Sequence, residues 1–239
     1  MVGVGIADVT TGLYATIGIL AALRHRDATG QGQHVDLSLL DTQVSWLVNE
    51  ATNYLVSGTP PLRRGNEHPN IVPYRVFATA DGHIVLAVGN DAQFARLCSI
   101  VGLPELATDP RAATNPARVA NRAHVDTTLG RALAPRPSAD WLAALEPAGV
   151  PAGPVNTIDE VFADPHVLAR GMRIAMPYPA AAAGEIELVG SPLKLGATPV
   201  TYRHAPPRAG EHTDAVLTAL GLDAAEIARL TEAGVIATA

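Results

Sequence analysis

The dipeptide Asp81-Gly82 lies between two short apolar segments, 74–80 and 84–88. Asp-Gly favours the tight turn of an antiparallel hairpin, because both turn residues need a positive φ. The pattern therefore predicts a β-hairpin. Further short strands, separated by helical segments, are predicted near 33–40, 173–176 and 186–189. Strands this few and scattered predict an α/β protein without the strand–helix alternation of a complete nucleotide-binding sheet.

Apolar residues at helical spacing fill most of the remaining chain. The longest predicted helix covers residues 8–26, with Asp8 as its candidate N-cap. A second helix is predicted to begin at Asp41 or Thr42 and to end near Val56. Others are predicted over 91–101, 117–134, 138–148, 212–220 and 223–233, with short helices that begin at Thr157 and Pro165.

Composition excludes several classes of protein. With a net charge of −6, the chain has no basic field for nucleic acid. Its single cysteine, Cys98, excludes an internal disulfide, and its eight His residues are dispersed, so no metal site is predicted. The longest apolar run, Ile17 to Leu23, is shorter than the roughly 20 residues of a membrane span. We therefore expect a cytoplasmic protein that binds neither metal, membrane nor nucleic acid.

The most unusual polar stretch is residues 63–74, Arg-Arg-Gly-Asn-Glu-His-Pro-Asn-Ile-Val-Pro-Tyr. Its prolines restrict the backbone, and its side chains include guanidinium, imidazole, carboxylate and amide groups. A stiff loop rich in donors suits recognition of an anion or a carbonyl group. The alternative is a solvated connector before the hairpin. The candidate binding residues in this loop are Arg64, Gly65, Asn66, His68 and Tyr74.

A second candidate region is Asn90 and Asp91, where a strand ends and a helix begins. Asp91 is placed to cap that helix, and ligands are also commonly bound at such junctions, so both roles remain open. Cys98 is expected to be a small buried residue rather than a reactive thiol. Capping and exposure, rather than service as a nucleophile or general base, are expected for the remaining notable acids, Asp8, Asp36 and Asp41.

Several motifs occur in order along the whole chain. They are Gly5-Ile-Ala-Asp8, Thr29-Gly-Gln-Gly-Gln-His-Val-Asp-Leu-Ser-Leu-Leu-Asp41, Arg64-Gly-Asn66, Gly89-Asn-Asp-Ala-Gln-Phe94, Asp109-Pro-Arg111, Thr114-Asn115 with Arg118, Ala148-Gly-Val-Pro-Ala-Gly-Pro-Val155 and Gly210-Glu-His-Thr213. In this set the chain resembles the class III CoA-transferase family, which includes formyl-CoA transferase, carnitine-CoA transferase and α-methylacyl-CoA racemase.

The resemblance implies the C-terminal portion of that fold. It assigns residues 1–57 to a linker helix, a short strand and a helix, 58–150 to a small α/β domain, and 151–239 to a returning arm with C-terminal helices. In the family, a nucleotide-binding-type domain precedes the motif Gly5-Ile-Ala-Asp8 and carries the nucleophilic aspartate. No catalytic residue is therefore assigned here. The family also implies an interlocked homodimer. Because the region of the nucleophile is missing from this chain, a partner chain that supplies the N-terminal half is the alternative.

The implied activity is transfer of CoA between an acyl-CoA and a carboxylic acid, with a CoA thioester as substrate and no bound cofactor. In the family the acyl group passes through a mixed anhydride on an aspartate and then an aspartyl-CoA thioester. The loop 64–74, with Asn90 and Asp91, would line the acyl side. Residues 67–74 lack the glycine-rich loop of formyl-CoA transferase, so formate and oxalate specificity is not predicted.

Two alternatives remain open. The first is racemisation of a 2-methylacyl-CoA, because Asp91 matches an acid of the racemase pattern. The second is a non-catalytic half that binds a partner chain.

Overall fold

The computed structural model of the protein describes residues 3–238, which divide into two compact units. The first ends at Val155 and the second begins at Asn156. The first contains helices α1 (Ile6–Thr29), α2 (Leu39–Ser45), α3 (Val48–Ser57), α4 (Asp91–Ile100), α5 (Asn115–Ala120), α6 (Arg122–Leu133) and α7 (Ser138–Leu145), a 3-10 turn (Pro104–Ala107), and strands β1 (Tyr74–Ala78), β2 (His83–Ala87) and β3 (Ala152–Pro154). The second contains α8 (Ile158–Ala163), α9 (Pro165–Ala169), β4 (Arg173–Pro177), β5 (Glu185–Val189), α10 (Thr213–Ala219) and α11 (Ala224–Glu232).

The predicted hairpin around Asp81-Gly82 is confirmed. β1 and β2 are antiparallel, with Tyr74 opposite Ala87, and β3 pairs with the other edge of β2. The Asp81 carboxylate accepts hydrogen bonds from the Thr79 hydroxyl at 3.2 Å and from the Ser138 backbone N–H at 2.8 Å. The turn is therefore tied to the start of α7.

One apolar core joins this three-stranded sheet to α4, α6 and α7. Ile84 and Leu86 of β2 are fully buried, as expected for alternate residues on the inner face of a strand. Cys98 also has no exposed surface, which confirms its predicted burial. The other core side chains from α4, α6 and α7 are Phe94, Leu97, Val125, Leu129, Leu133, Trp141 and Leu145.

The strand predicted over 33–40 is not formed. Residues 31–38 carry no helix or strand, and α2 begins at Leu39. A strand needs a neighbour to pair its backbone N–H and C=O groups. Within residues 3–238 no strand lies beside this segment, so its alternating pattern has nothing to pair with.

The helix starts also differ from the predicted ones. α1 begins at Ile6 after Gly5, so Asp8 lies inside the helix and does not cap it. The Ser38 hydroxyl caps α2 by accepting the Asp41 backbone N–H at 3.0 Å, so neither Asp41 nor Thr42 is the cap. The single helix predicted from there to Val56 is broken into α2 and α3 near Val48, whose φ is 38°.

The apolar face of α1 is largely exposed. Leu13, Ile17 and Leu20 are 59%, 62% and 61% exposed. By length and composition α1 is sufficient to cross a membrane, because its most apolar 18 residues have a mean hydropathy of 1.6, and 6% of them are buried. The prediction of no membrane span rested on the longest uninterrupted apolar run, Ile17 to Leu23, which is much shorter than α1. Core helices of soluble proteins and signal sequences meet the same criterion.

The second unit contains a separate antiparallel hairpin. In it Arg173 lies opposite Val189, so the strands predicted near 173–176 and 186–189 are confirmed. α10 and α11 confirm the two terminal helices.

Candidate functional site

The hairpin brings the two predicted binding regions to one edge of the sheet. Because β1 and β2 are antiparallel, the start of β1 at Tyr74 lies beside the end of β2 at Ala87. The Val88 backbone N–H donates to the Pro73 carbonyl at 3.0 Å, which extends the pairing toward the loop. The loop 64–74, which precedes β1, therefore meets Asn90 and Asp91, which follow β2.

Three of the predicted binding side chains shape the loop itself. The His68 ring stacks on the Tyr74 ring, with centroids 5.2 Å apart and planes inclined by 13°. His68 Nδ1 accepts the Asn70 backbone N–H at 3.2 Å, while the His68 backbone N–H donates to the Tyr74 carbonyl at 3.0 Å. The side chain of Asn66 accepts the Val76 backbone N–H at 3.1 Å. These contacts close residues 66–76 into a defined turn.

The other two loop candidates lie nearer its beginning. Gly65 adopts a left-handed conformation with φ 65°, which glycine tolerates without steric cost. Arg64 Nη1 lies 3.3 Å from Glu50 Oε1 of α3. Both side chains of this ion pair are about one-third exposed, so its strength is limited by solvent.

Asn90 and Asp91 both make structural contacts. The Asn90 side chain accepts the Gln93 backbone N–H at 2.9 Å and caps α4, so the prediction that Asp91 is the cap is wrong. Asp91 Oδ1 instead accepts a hydrogen bond from Arg118 Nη2 at 2.8 Å. The Asp91 side chain is still 54% exposed, which leaves part of the carboxylate accessible.

Three side chains from α5 and α6 hold the loop from beneath. Asn115 accepts the Val72 backbone N–H at 3.1 Å and donates to the Asn70 carbonyl at 2.8 Å. Arg118 Nε donates to the Val72 carbonyl at 2.6 Å. Arg122 Nη2 donates to the carbonyls of His68 and Pro69, each at 2.9 Å. The backbone of residues 68–72 is therefore fixed by side chains and not by a neighbouring strand.

Sequence reasoning did not single out these three residues as part of the site. Asn115 and Arg118 appeared only within a family motif, and Arg122 was not considered. In the sequence, positions 115, 118 and 122 have the i, i+3, i+7 spacing of one helical face, although in the structure α5 ends at Ala120 and Arg122 begins α6. A cation on the inward stripe of a helix was the signal that could have identified Arg118.

A network of four charges lies under the loop. Arg75 Nη1 contacts Glu67 Oε1 and lies 3.2 Å from Asp126 Oδ2. Arg122 Nη1 lies 3.8 Å from Glu67 Oε2. Asp126 is 8% exposed, and burial raises its carboxyl pKa although Arg75 opposes the shift. Two cations and two acids balance one another, so the network anchors the loop without adding net charge.

Other candidate chemistry is weaker. Asp8, Asp36 and Asp41 are exposed. Burial raises the pKa of the Cys98 thiol to about 11, which suppresses the reactive thiolate. Among residues 3–238, no three His, Cys, Asp or Glu side chains come together as a metal site requires.

Known proteins are similar to this chain in sequence and fold. The model of the family described as CoA-transferase family III matches residues 1–213. The chain is 47% identical over 218 residues to succinate–glutarate CoA-transferase of Agrobacterium fabrum, which covers 91% of this chain and 54% of that protein. It is 38% identical over 235 residues to succinyl-CoA:glutarate CoA-transferase of Homo sapiens, which covers 98% of this chain and 53% of that protein.

The fold is also found in a solved structure. A CAIB/BAIF family protein from Brucella suis is 42% identical, with a TM-score of 0.75 over 92% of this chain and 56% of that one. The chain spans about half the length of the curated relatives it matches.

Proposed function

This chain belongs to CoA-transferase family III, and we propose that, within the complete protein, it serves the transfer of coenzyme A between an acyl-CoA and a free carboxylic acid. The observation that carries the proposal is 47% identity over 218 residues to a protein named for this activity. The loop 64–74, with Asn90 and Asp91, is assigned to the acyl side of the site. Its support is the meeting of both regions at one sheet edge.

The proposed acids are short dicarboxylates. Succinate and glutarate, in the names of two relatives, both belong to this class. When one carboxylate becomes a thioester, the other keeps its charge and needs a cationic or hydrogen-bonding contact. Arg64 and His68, both half-buried in the loop, are side chains suited to a carboxylate.

The residues of this chain are assigned to binding and not to bond formation. Transfer requires a carboxylate that attacks the thioester carbon and releases CoA as a thiolate. We propose that this carboxylate comes from the part of the relatives' length that the chain does not match. Pairing of Asp91 with Arg118 and the exposure of Asp8, Asp36 and Asp41 support that division.

We further propose that the chain works as a homodimer, or with a partner that supplies the unmatched half, in the cytoplasm. The exposed apolar residues Leu13, Ile17 and Leu20 support an association through α1. The free thiol of Cys98 suits a reducing compartment.

The test is reconstitution with succinyl-CoA and glutarate as substrates. Residues 1–239 are assayed alone and after coexpression with the part of the Agrobacterium fabrum relative that the chain does not match. Mass spectrometry detects glutaryl-CoA. We expect no product from the chain alone and product from the coexpressed pair. The unmatched part on its own serves as the control.

Each other outcome counts against a stated part of the proposal. A copurifying pair that forms no product contradicts CoA transfer. Exchange of the α-hydrogen of a 2-methylacyl-CoA in deuterated water, without transfer, favours the racemase alternative. Transfer by residues 1–239 alone contradicts the assignment of the attacking carboxylate to the unmatched part.

A further inference from the structure

Arg118 is a charged residue at the centre of an apolar core. Its side chain has no exposed surface, and its guanidinium carbon lies 4.3 Å from the centre of the Phe94 ring. Burying a cation is costly unless it is paired and hydrogen-bonded. An aliphatic residue would fill the same space without that cost. Packing alone therefore does not explain why a guanidinium is buried here.

The three acceptors of Arg118 show what it connects. Nε donates to the Val72 carbonyl at 2.6 Å, Nη1 to the Ala112 carbonyl at 2.9 Å, and Nη2 to Asp91 Oδ1 at 2.8 Å. Val72 belongs to the loop 64–74, and Asp91 begins α4. One planar fork therefore contacts both regions of the candidate site, and Ala112 provides a fixed third point.

The other two side chains that hold the loop, Asn115 of α5 and Arg122 of α6, do not have this reach. Asn115 bonds to Asn70 and Val72, and Arg122 bonds to His68 and Pro69, all within the loop. Among the hydrogen bonds described for these three side chains, the one to Asp91 is made by Arg118. Asn115 and Arg122 therefore hold the loop itself, whereas Arg118 also sets the position of the loop relative to Asp91.

The ion pair also affects the charge that a substrate meets. Asp91 is 54% exposed at this edge, and a free aspartate there would repel the carboxylate of an acid substrate. Arg118 at 2.8 Å offsets that charge from the protein side. A rigid guanidinium fork therefore provides both geometry and charge compensation.

We propose that Arg118 is a positioning residue that fixes the loop 64–74 relative to Asp91 and so sets the fit of the acid substrate. The identity of the acid substrate in this inference rests on the proposed function, whereas the contacts of Arg118 rest on the structure alone. A lysine at this position keeps the charge but loses the planar fork, so Arg118→Lys separates the two contributions.

The first experiment does not require activity. Amide hydrogen exchange of residues 1–239 is measured by mass spectrometry for Arg118→Lys, Arg122→Lys and Arg111→Lys. Arg111 is exposed and pairs with Asp109, so its variant is the control. We expect Arg118→Lys to speed exchange about tenfold in both 68–74 and 91–97. Arg122→Lys should affect 68–74 alone, and Arg111→Lys neither region.

The second experiment uses the reconstituted pair described above. Arg118→Lys should raise the KM for glutarate on the order of tenfold, with kcat and the KM for succinyl-CoA nearly unchanged. Arg111→Lys should behave as wild type. If wild type shows no transfer, the proposed function fails, while the exchange data still decide the positioning role.

Several outcomes would overturn the inference. These are faster exchange spread evenly over the first unit, an identical exchange pattern in Arg118→Lys and Arg122→Lys, or an unchanged KM for glutarate in an active pair. If Arg118→Lys does not fold, Asp91→Asn at the exposed end of the ion pair replaces it. Exchange at 68–74 should then rise because Arg118 transmits the change, and unchanged exchange there would contradict the inference.

Discussion

At the residue scale, the reactivity of the Cys98 thiol directly reports on the packing of the apolar core in the first unit. It has no exposed surface, and burial raises its pKa to about 11. At pH 8 we expect it to react with a disulfide reagent slower by roughly two orders of magnitude than in guanidinium chloride, because thiolate is the reactive form. The measurement is the rate of thiol release in each solvent. Since the chain has one cysteine, no second thiol interferes, and rapid native labelling would contradict the burial.

Asp126 predicts a pH dependence of stability. Burial raises its pKa, and its Oδ1 has no hydrogen-bond partner among residues 3–238. Folded protein therefore holds this proton more tightly than the unfolded chain. The resulting stability is fully present below the unfolded pKa of about 3.9 and is lost as pH rises through the folded value. Wild type should lose stability relative to Asp126→Asn as pH rises above the unfolded pKa of about 3.9, measured by urea unfolding.

Asp109 provides a control of opposite sign. Hydrogen bonds from Arg111 hold the pKa of its carboxyl well below the usual range. Its contribution is therefore present above the unfolded pKa and is lost as pH falls through the folded value. The difference between wild type and Asp109→Asn should shrink on acidification. If both variants change in the same direction with pH, the assignment of Asp126 is wrong.

Single residues also mark the limit of prediction from sequence. Composition and helical position were sufficient to predict the burial of Cys98. The choice between Asn90 and Asp91 as cap was not predictable, because both residue types cap helices well. The difference came from Arg118, which lies 27 positions later and binds Asp91. A residue distant in sequence therefore determined which of two adjacent residues caps α4.

At the element scale, the hairpin at Asp81-Gly82 and the two strands of the second unit were predictable, whereas the absence of a strand over 33–40 was not. In the first hairpin, the turn residues Asp81-Gly82 and both paired strands lie within 15 residues of sequence. Residues 33–40 have the same alternation but no neighbouring strand within the described part of the chain. Local pattern determines which face is apolar, whereas pairing determines whether a strand forms.

The hairpin of the second unit carries a test of close backbone packing. A Cβ on Gly190 would lie 2.2 Å from the Gly171 carbonyl oxygen, and the Gly190 N–H donates to the Met172 carbonyl at 2.8 Å. Gly190→Ala must therefore displace backbone at the end of β5. We expect a loss of about 1–3 kcal/mol in the free energy of unfolding.

Gly196→Ala is the matched control, because a Cβ added at Gly196 would have no atom within 4 Å. Its stability should stay within about 0.5 kcal/mol of wild type. Urea unfolding gives the energies, and hydrogen exchange over 173–189 locates the effect. Equal losses in the two variants would contradict the packing argument.

At the scale of the whole molecule, the chain spans about half the length of its relatives. Its longest apolar helical face, on α1, is exposed. Leu13, Ile17 and Leu20 have the i, i+4, i+7 spacing of one face. A protein surface of this kind is typical of a contact with another polypeptide or of a membrane. Family membership was predictable at this scale because motifs survive in order, whereas the partner of α1 was not, since no contact within residues 3–238 covers that face.

We expect a polypeptide, and not a bilayer, to cover the apolar face of α1. α1 is long and apolar enough to span a bilayer, but its first turn carries the carboxylate of Asp8, which is costly to place in hydrocarbon. About half the length of the relatives also lies outside their match to this chain and can cover the face. We therefore expect the purified chain to self-associate on size-exclusion chromatography with light scattering, and to bind a hydrophobic dye. It should not sediment with phosphatidylcholine vesicles.

The double variant Ile17→Glu with Leu20→Glu should remove this association, because two charges on the face cannot be desolvated without partners. His25→Glu, at an exposed polar position away from that face of the same helix, should associate as wild type does and controls for added charge. Helical circular dichroism should be nearly unchanged in both variants, since glutamate is a good helix former. Vesicle binding that the double variant abolishes would instead show that α1 is a membrane contact, and association that survives in the double variant would place the interface elsewhere on the chain.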